Sequence, residues 1–351
     1  MSLDGRNNME IYKNKGLTGL QNLGNTCFLN STMQCLSHTY EFNNFLDKGE
    51  FKSYLNKQAD SILLLEWNKL RELMWSENCQ ISPAGFIQAV QKIANIKDKD
   101  LFTGWAQNDL PEFLLFIVDC FHNALSREVD MTIRGTVQND KDKVAKVCYE
   151  MMKNMYKKEY SEVLRCFYGI HVSKIVDHDN NELSLTPEPY FMIDLPLPST
   201  ENKNIDLYDC FNLYTGSELL QESTDNAWFN DKTGKKQDVK KNIVFWNLPD
   251  ILVIDFRRFN NRQIKDQRFI SIPLIDIDLR KYVDGYNKDS YVYDLYGVCN
   301  HSGGTNGGHY TAHVKNANGK WYVFNDMEVT EIPENRVISS QAYCLFLRKK
   351  N

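Results

Sequence analysis

Cys27 stands directly behind Gly-Asn-Thr in the stretch GLTGLQNLGNTCFLNSTMQCL, and Leu29, Met33 and Leu36 follow it at helical spacing. Asn25 or Thr26 is placed to cap a helix that begins near Cys27. A thiol at a helix N-terminus feels the positive end of the macrodipole, which is expected to lower its pKa, and the thiolate is the nucleophilic form. Such a nucleophile needs a base, and the base needs an orienting group. The seven histidines are 38, 122, 171, 178, 301, 309 and 313. His309 is singled out because it follows the glycine-rich HSGGTNGG and opens the strand-like HYTAHVK. Glycines let backbone approach a ligand, and a strand start holds an imidazole while leaving one face open. Asn325 lies further on, in GKWYVFNDMEV, with Asn318-Gly319 between them as a hairpin turn. Two antiparallel strands joined there bring Asn325 or Asp326 back beside His309, where either accepts the imidazole N–H and sets its tautomer. The chemistry this spells is thiol-dependent acyl transfer. Each feature has a plainer reading: a packing cysteine, a hairpin histidine, a turn-forming Asn-Asp.

Two other chemistries do not fit. HSGGTNGG lacks the Gly-Lys-Ser/Thr and following helix of a phosphate loop. His309 and His313 are spaced as helical zinc ligands, but the segment reads as a strand and lacks the metalloprotease glutamate.

The elements that must position these residues fall into two textures. From about 27 to 125 the pattern is helical, with apolar residues at helical spacing in 61–75 (SILLLEWNKLRELMW) and 111–125 (PEFLLFIVDCFHNAL). Asp109 is placed to cap the latter, with Pro111 in its first turn and Glu112 three positions on. Residues 128–165 are mixed and charged, with a helix expected at 142–158. After Cys166, strand-like runs appear at 168–176, 190–195, 242–246, 251–256, 291–299, 309–315, 321–325 and 342–348, and 223–241 reads as loop. A helical first half and a strand-rich second half predict an α+β fold with a cleft where they meet.

Composition bounds the partners. A formal net charge of −5 argues against nucleic acid as the main partner. Nine cysteines, an odd number without Cys-x-x-Cys spacing, suit free thiols in a reducing compartment, cytoplasmic or nuclear. The polar start, MSLDGRNNMEIYKNKG, has no signal-peptide core, and no apolar run is long enough to span a bilayer.

The order Cys, His, Asn/Asp is that of papain-like proteases, and the local sequences resemble one group of them. GLTGLQNLGNTCFLNSTMQCL is similar to the cysteine box of ubiquitin-specific proteases, and GGTNGGHYTAHVKNANGKWYVFNDMEVTEI to their histidine box. QNDLPEFLLFIVDCFHNAL, LPDILVIDFRRF and QAYCLFLRK resemble intervening and closing segments of the same family, in its order. The resemblance implies a papain-like domain over 16–350 after a polar lead-in, 1–15. It would have a helical thumb, about 16–160, with β-rich palm and fingers over about 161–350. It implies hydrolysis after the C-terminal glycine of ubiquitin, with Cys27 as nucleophile and His309 as general base. Asn325 orients the histidine, with Asp326 as helper or substitute, and Asn22 donates to the oxyanion. Asp109 and Glu112 match positions that face the arginines of ubiquitin's tail, and Gly307, Gly308 and Tyr310 are further candidates to line the tail channel. Glycines 303, 304, 307 and 308 would form a mobile loop. The partners implied are ubiquitin and ubiquitinated proteins, with the enzyme a monomer free of cofactors. Two alternatives are an inactive ubiquitin-binding module and a protease for another ubiquitin-like modifier.

The chain departs from the family in two places. Its fingertip positions, 177–180 and 234–241, lack the zinc-binding cysteine pairs of many members, so no structural metal is expected. Asp255 stands where a histidine is common in the family, and Arg257 and Arg258 beside it are expected to be structural.

Overall fold

The computed structural model describes residues 9–199, 204–231, 233–304 and 307–350. Helices dominate up to Phe167: Cys27–Ser37, Tyr40–Asp47, Phe51–Tyr54, Asp60–Ser76, Ala84–Ile96, Leu110–Leu125, Asp140–Tyr156 and Glu162–Phe167. Strands dominate thereafter, which is the expected α+β division. Among the described residues no helix is long and apolar enough to cross a membrane.

The central sheet runs in the order Glu328–Ile332, Trp321–Asn325, Gly307–Lys315, Val292–Gly304, Ala342–Lys349, Ile251–Arg257, Met192–Pro196. Both of its faces are covered. Along Ile251–Arg257, Ile251 and Val253 join a core shared with the helices, built around Trp67, Phe113 and Phe121. Leu252, Ile254 and Phe256 join a second core on the other face, which includes Phe211 from the helix Leu207–Tyr214. A strand buried on both sides has no polar face, hence the unbroken run ILVI. The helix Cys27–Ser37 lies inside the first core, and all eleven of its residues are buried. The apolar stripe of Leu29, Met33 and Leu36 therefore understates its environment: Asn30, Thr32 and Gln34 are buried too.

A second sheet, in the order Glu182–Tyr190, Gly169–Val176, Val239–Asn247, Glu218–Leu220, carries the helix Asp140–Tyr156 through Ala145, Cys148, Ile170, Val172 and Trp246. The stretch 223–241 departs from expectation. It holds the antiparallel pair Trp228–Asn230 and Lys235–Gln237, and the start of Val239–Asn247. Among the described residues, no group of three or more His, Cys, Asp or Glu is arranged to hold a metal ion.

Helices and sheet are tied by a nearly buried ion pair, each side chain 12% exposed. Arg348 Nε donates to Glu41 Oε1 at 2.7 Å and its Nη2 to the His38 carbonyl at 2.8 Å, with the guanidinium over the rings of Tyr40 and Tyr296. Breaking one side of a buried pair strands the other charge. Glu41→Ala is expected to lower unfolding free energy by about 3–5 kcal/mol, read from urea melts; a loss below about 1 kcal/mol, typical of exposed pairs, would show that the pair is hydrated.

Candidate active site

The turn before Cys27 is built by Asn22. Its Oδ1 accepts from the backbone N–H of Gly24 (3.0 Å) and Thr26 (3.1 Å) and from the Thr26 hydroxyl (3.2 Å). This fixes the side-chain amide, so that its nitrogen end points the other way, donating to Asp326 Oδ2 at 3.0 Å. An amide nitrogen has two N–H groups, and Asn22 is an exposed residue. The expected helix cap is not formed. Thr26 is the N-cap residue without a capping side-chain bond, its hydroxyl being turned back to Asn22 and the Leu23 N–H, while Asn25 adopts φ 56° and donates to the Trp105 carbonyl.

Cys27 is 3% exposed. Burial pushes its thiol above the ordinary range; the neighbouring Tyr310 N–H opposes this, and the Asp326 carboxylate adds to it. The expectation of a lowered pKa at the helix N-terminus is therefore reversed in the free chain, because desolvation outweighs the end-of-helix field. No hydrogen bond links Cys27 to His309 among the described residues. Alkylation of Cys27 by iodoacetamide should accelerate as pH rises through and beyond the ordinary thiol range; a plateau already reached at neutral pH would show a preformed thiolate instead.

His309 lies on Gly307–Lys315, the strand that the turn at Asn318-Gly319 joins to Trp321–Asn325. Its Nε2 donates to Asn325 Oδ1 at 2.6 Å, which leaves Nδ1 as the basic nitrogen of the neutral ring. Asp326 follows at φ 49°, and its carboxylate serves two other amides: Asn22, and Asn30 of the Cys27 helix at 2.7 Å. Either residue could have oriented the histidine by sequence; the bond is made by Asn325. The Asp326 carbonyl accepts from Leu20 N–H at 2.9 Å. That approach needs Gly19, where an added Cβ would lie 2.1 Å from the Met327 carbonyl oxygen.

A sequence model of the family described as "Ubiquitin carboxyl-terminal hydrolase" matches residues 18–347. The chain belongs to that family. Human ubiquitin carboxyl-terminal hydrolase 2 is 33% identical over 98% of this chain and 57% of its own length; human ubiquitin carboxyl-terminal hydrolase 21 is 29% identical over 94% and 61%. The chain thus spans somewhat over half the length of these relatives. Among solved structures, a SAGA DUB module of Ubp8, Sgf11, Sus1 and Sgf73 bound to monoubiquitin is similar with a TM-score of 0.73, at 23% identity, over 97% of this chain and 70% of that one. The fold is accordingly the papain-like one expected.

In this member of the ubiquitin carboxyl-terminal hydrolase family, a recess of about 400 Å³ adjoins the site, with Gln107, Asp109, Gly307, Gly308, Tyr310 and Tyr343 among its walls. Asp109 caps the helix Leu110–Leu125, accepting from Glu112 N–H at 3.4 Å, and also accepts from the Tyr343 hydroxyl at 2.9 Å. Glu112 is exposed on the first turn of that helix. Tyr310 is buried, its hydroxyl accepting from Leu110 N–H and its ring stacked on His301. The four glycines are not a loop. Gly303 pairs with Gly308 and Gly304 with Gly307, extending the hairpin ladder; the tip, 305–306, is outside the described residues. Gly308 admits no side chain, since a Cβ would meet His301 Nε2 at 2.3 Å.

Three polar residues escaped the sequence reading. Asn30 sits one turn after Cys27, and Gln34 one turn beyond, donating to the Thr18 carbonyl at 2.8 Å. Polar residues at helical spacing from the cysteine were the available signal. Gln107 clasps Gly308 twice, donating to its carbonyl at 3.0 Å and accepting from its N–H at 2.9 Å. Nothing local to Gln107 announces a partner two hundred residues away.

Proposed function

We propose that the chain is a deubiquitinating thiol protease that cleaves after the C-terminal glycine of ubiquitin, acting as a monomer in a reducing compartment. The observation that carries this reading is the His309 Nε2–Asn325 Oδ1 bond, which fixes the tautomer a thiol's base requires beside a helix that begins with Cys27. His309 Nδ1 takes the Cys27 proton, and the sulfur attacks the glycine carbonyl carbon. The second Asn22 N–H donates to the oxyanion that forms, a preorganised donor whose amide is already oriented from both ends. The imidazolium returns its proton to the leaving amine, giving a thioester. Water then attacks with His309 as base, releasing the ubiquitin carboxylate and the thiol. Cys27 and His309 are brought into contact by substrate; apo geometry at such sites is often loose. The recess between Gln107 and Gly308 takes the tail, with Asp109 and Glu112 for its arginines. Nine unpaired cysteines support the reducing compartment.

The test is to expose the protein to ubiquitin carrying a C-terminal thiol-reactive warhead and to locate the adduct by mass spectrometry. An adduct on Cys27 is expected. Binding without an adduct would make the chain an inactive ubiquitin-binding module. No binding, with labelling by another ubiquitin-like probe, would change the modifier.

A further inference from the structure

The loop after Ile251–Arg257 forms the wall of an open cavity of about 690 Å³ whose lining includes Arg257, Arg258, Arg262, Lys265 and Arg268. Asp266 is the single carboxylate among the described lining residues. Two of the cations are matched: Arg257 donates from Nε (2.9 Å) and Nη2 (2.7 Å) to Asp194, and Arg268 pairs with Asp266 at 2.6 Å. Arg258, Arg262 and Lys265 have no carboxylate partner among the described residues. Arg258 is 1% exposed and spends its donors on carbonyls: Nε on Ala342 at 2.7 Å, Nη1 on Asp266 and Arg268 at 3.0 Å each. Its Nη2 is buried with no hydrogen-bond partner among the described residues. Among the described residues, Lys265 donates to His301 alone, at the carbonyl (2.5 Å) and Nδ1 (3.1 Å). Burial, and then the Arg258 charge, bring the Lys265 ammonium down to about 8, and burial likewise lowers Arg258. A chain of net charge −5 has thus gathered positive charge at one place, where Asp266 and Asp255 act on Arg258 but Arg262 and Lys265 pair with no carboxylate among the described residues. Buried and half-buried charges are held at a cost unless an opposite charge answers them.

We propose that this cavity is an anion site for a ligand bearing two or more phosphate groups, gripped at its mouth by Arg262 and Lys265 over the charge of Arg258. Guanidinium forks match phosphate oxygens. The volume falls within the range of small-molecule sites, about 300–1,000 Å³, and exceeds what one phosphate fills. The same loop borders the tail recess through Phe259 and Gln263. Lys265 also holds His301, which neighbours Ser302, the strand partner of His309. Anion binding therefore bears on the wall of the substrate recess.

The test uses the full chain with inorganic pyrophosphate and, separately, inositol hexakisphosphate, at ionic strength held constant with sodium chloride, read by calorimetry and by melting temperature. Saturable one-to-one binding is expected, weakened about tenfold or more by Arg262→Glu. Arg262 is exposed and its guanidinium makes no bond among the described residues, so the variant should melt like the parent without anion. Lys236→Glu, the same charge change outside the cavity, should bind like the parent. Tighter binding of pyrophosphate would identify a diphosphate group as the ligand, and tighter binding of the inositol compound a ring-borne polyphosphate; both support the site. Equal weakening by both variants, or no saturable binding of either anion, would overturn it.

Discussion

Cys27→Ala is expected to lower kcat on a ubiquitin conjugate by about four orders of magnitude or more, while the dissociation constant for ubiquitin stays within about threefold of the parent's, because the thiol adds little to ground-state binding. The substitution is structurally mild. Alanine is the better helix former at the first position of Cys27–Ser37, and the side chain removed is a single sulfur at the edge of the core. Turnover measured by release of a fluorogenic leaving group, paired with calorimetric titration of free ubiquitin, separates the two quantities. Residual hydrolysis within about tenfold of the parent would remove Cys27 from the chemistry. Suspicion would then pass to Cys79, the one exposed thiol of the nine. Joint loss of turnover and binding would mean that the alanine had disturbed the cleft.

What was legible in the chain follows from what is local. Trp321–Asn325 ends where its pattern ends, because a hairpin with Asn-Gly at its turn is specified by neighbours in sequence. Asp109 caps its helix as its spacing with Glu112 foretold. The pair Trp228–Asn230 and Lys235–Gln237 stayed hidden because Asn230 is the single buried residue of its six, so no alternation between core and solvent marks it. The thiol of Cys27 was misjudged for a related reason. The macrodipole can be inferred from eleven residues, whereas burial comes from the Gly307–Lys315 strand and other distant segments packed over the helix. Gln107 and Gly308, and likewise Asn22 and Asp326, meet only when the helical half packs on the sheet. The elements could be read in advance; the bonds that hold the candidate residues together could not.

The division of labour between Asn325 and Asp326 makes the sharpest distinction. Asn325→Ala removes the acceptor of the His309 N–H and frees the imidazole tautomer, so kcat should fall by about 10²-fold or more. Asp326→Ala leaves that bond intact and instead releases the amides of Asn22 and Asn30. If Asn22 supplies the oxyanion donor, its loss of orientation should cost up to about 10²–10³-fold in kcat. The two losses are distinguishable by coupling. Asp326→Ala and Asn22→Ala act on one donor, so the double variant should be little worse than either single one. Asn325→Ala and Asn22→Ala act on different groups, and their effects should multiply more nearly. A second readout moves for Asp326 alone: its carboxylate presses the Cys27 thiol upward, so Asp326→Ala should shift the alkylation profile of Cys27 toward lower pH. Asn325 carries no charge to act on that thiol, and its replacement should leave the profile in place. Independent effects of Asp326→Ala and Asn22→Ala, with the thiol profile unmoved, would show that the carboxylate serves the packing of the helix and not the reaction. Strong coupling with a shifted profile would place one residue at both ends of the attack, holding the oxyanion donor while keeping the sulfur protonated until substrate enters.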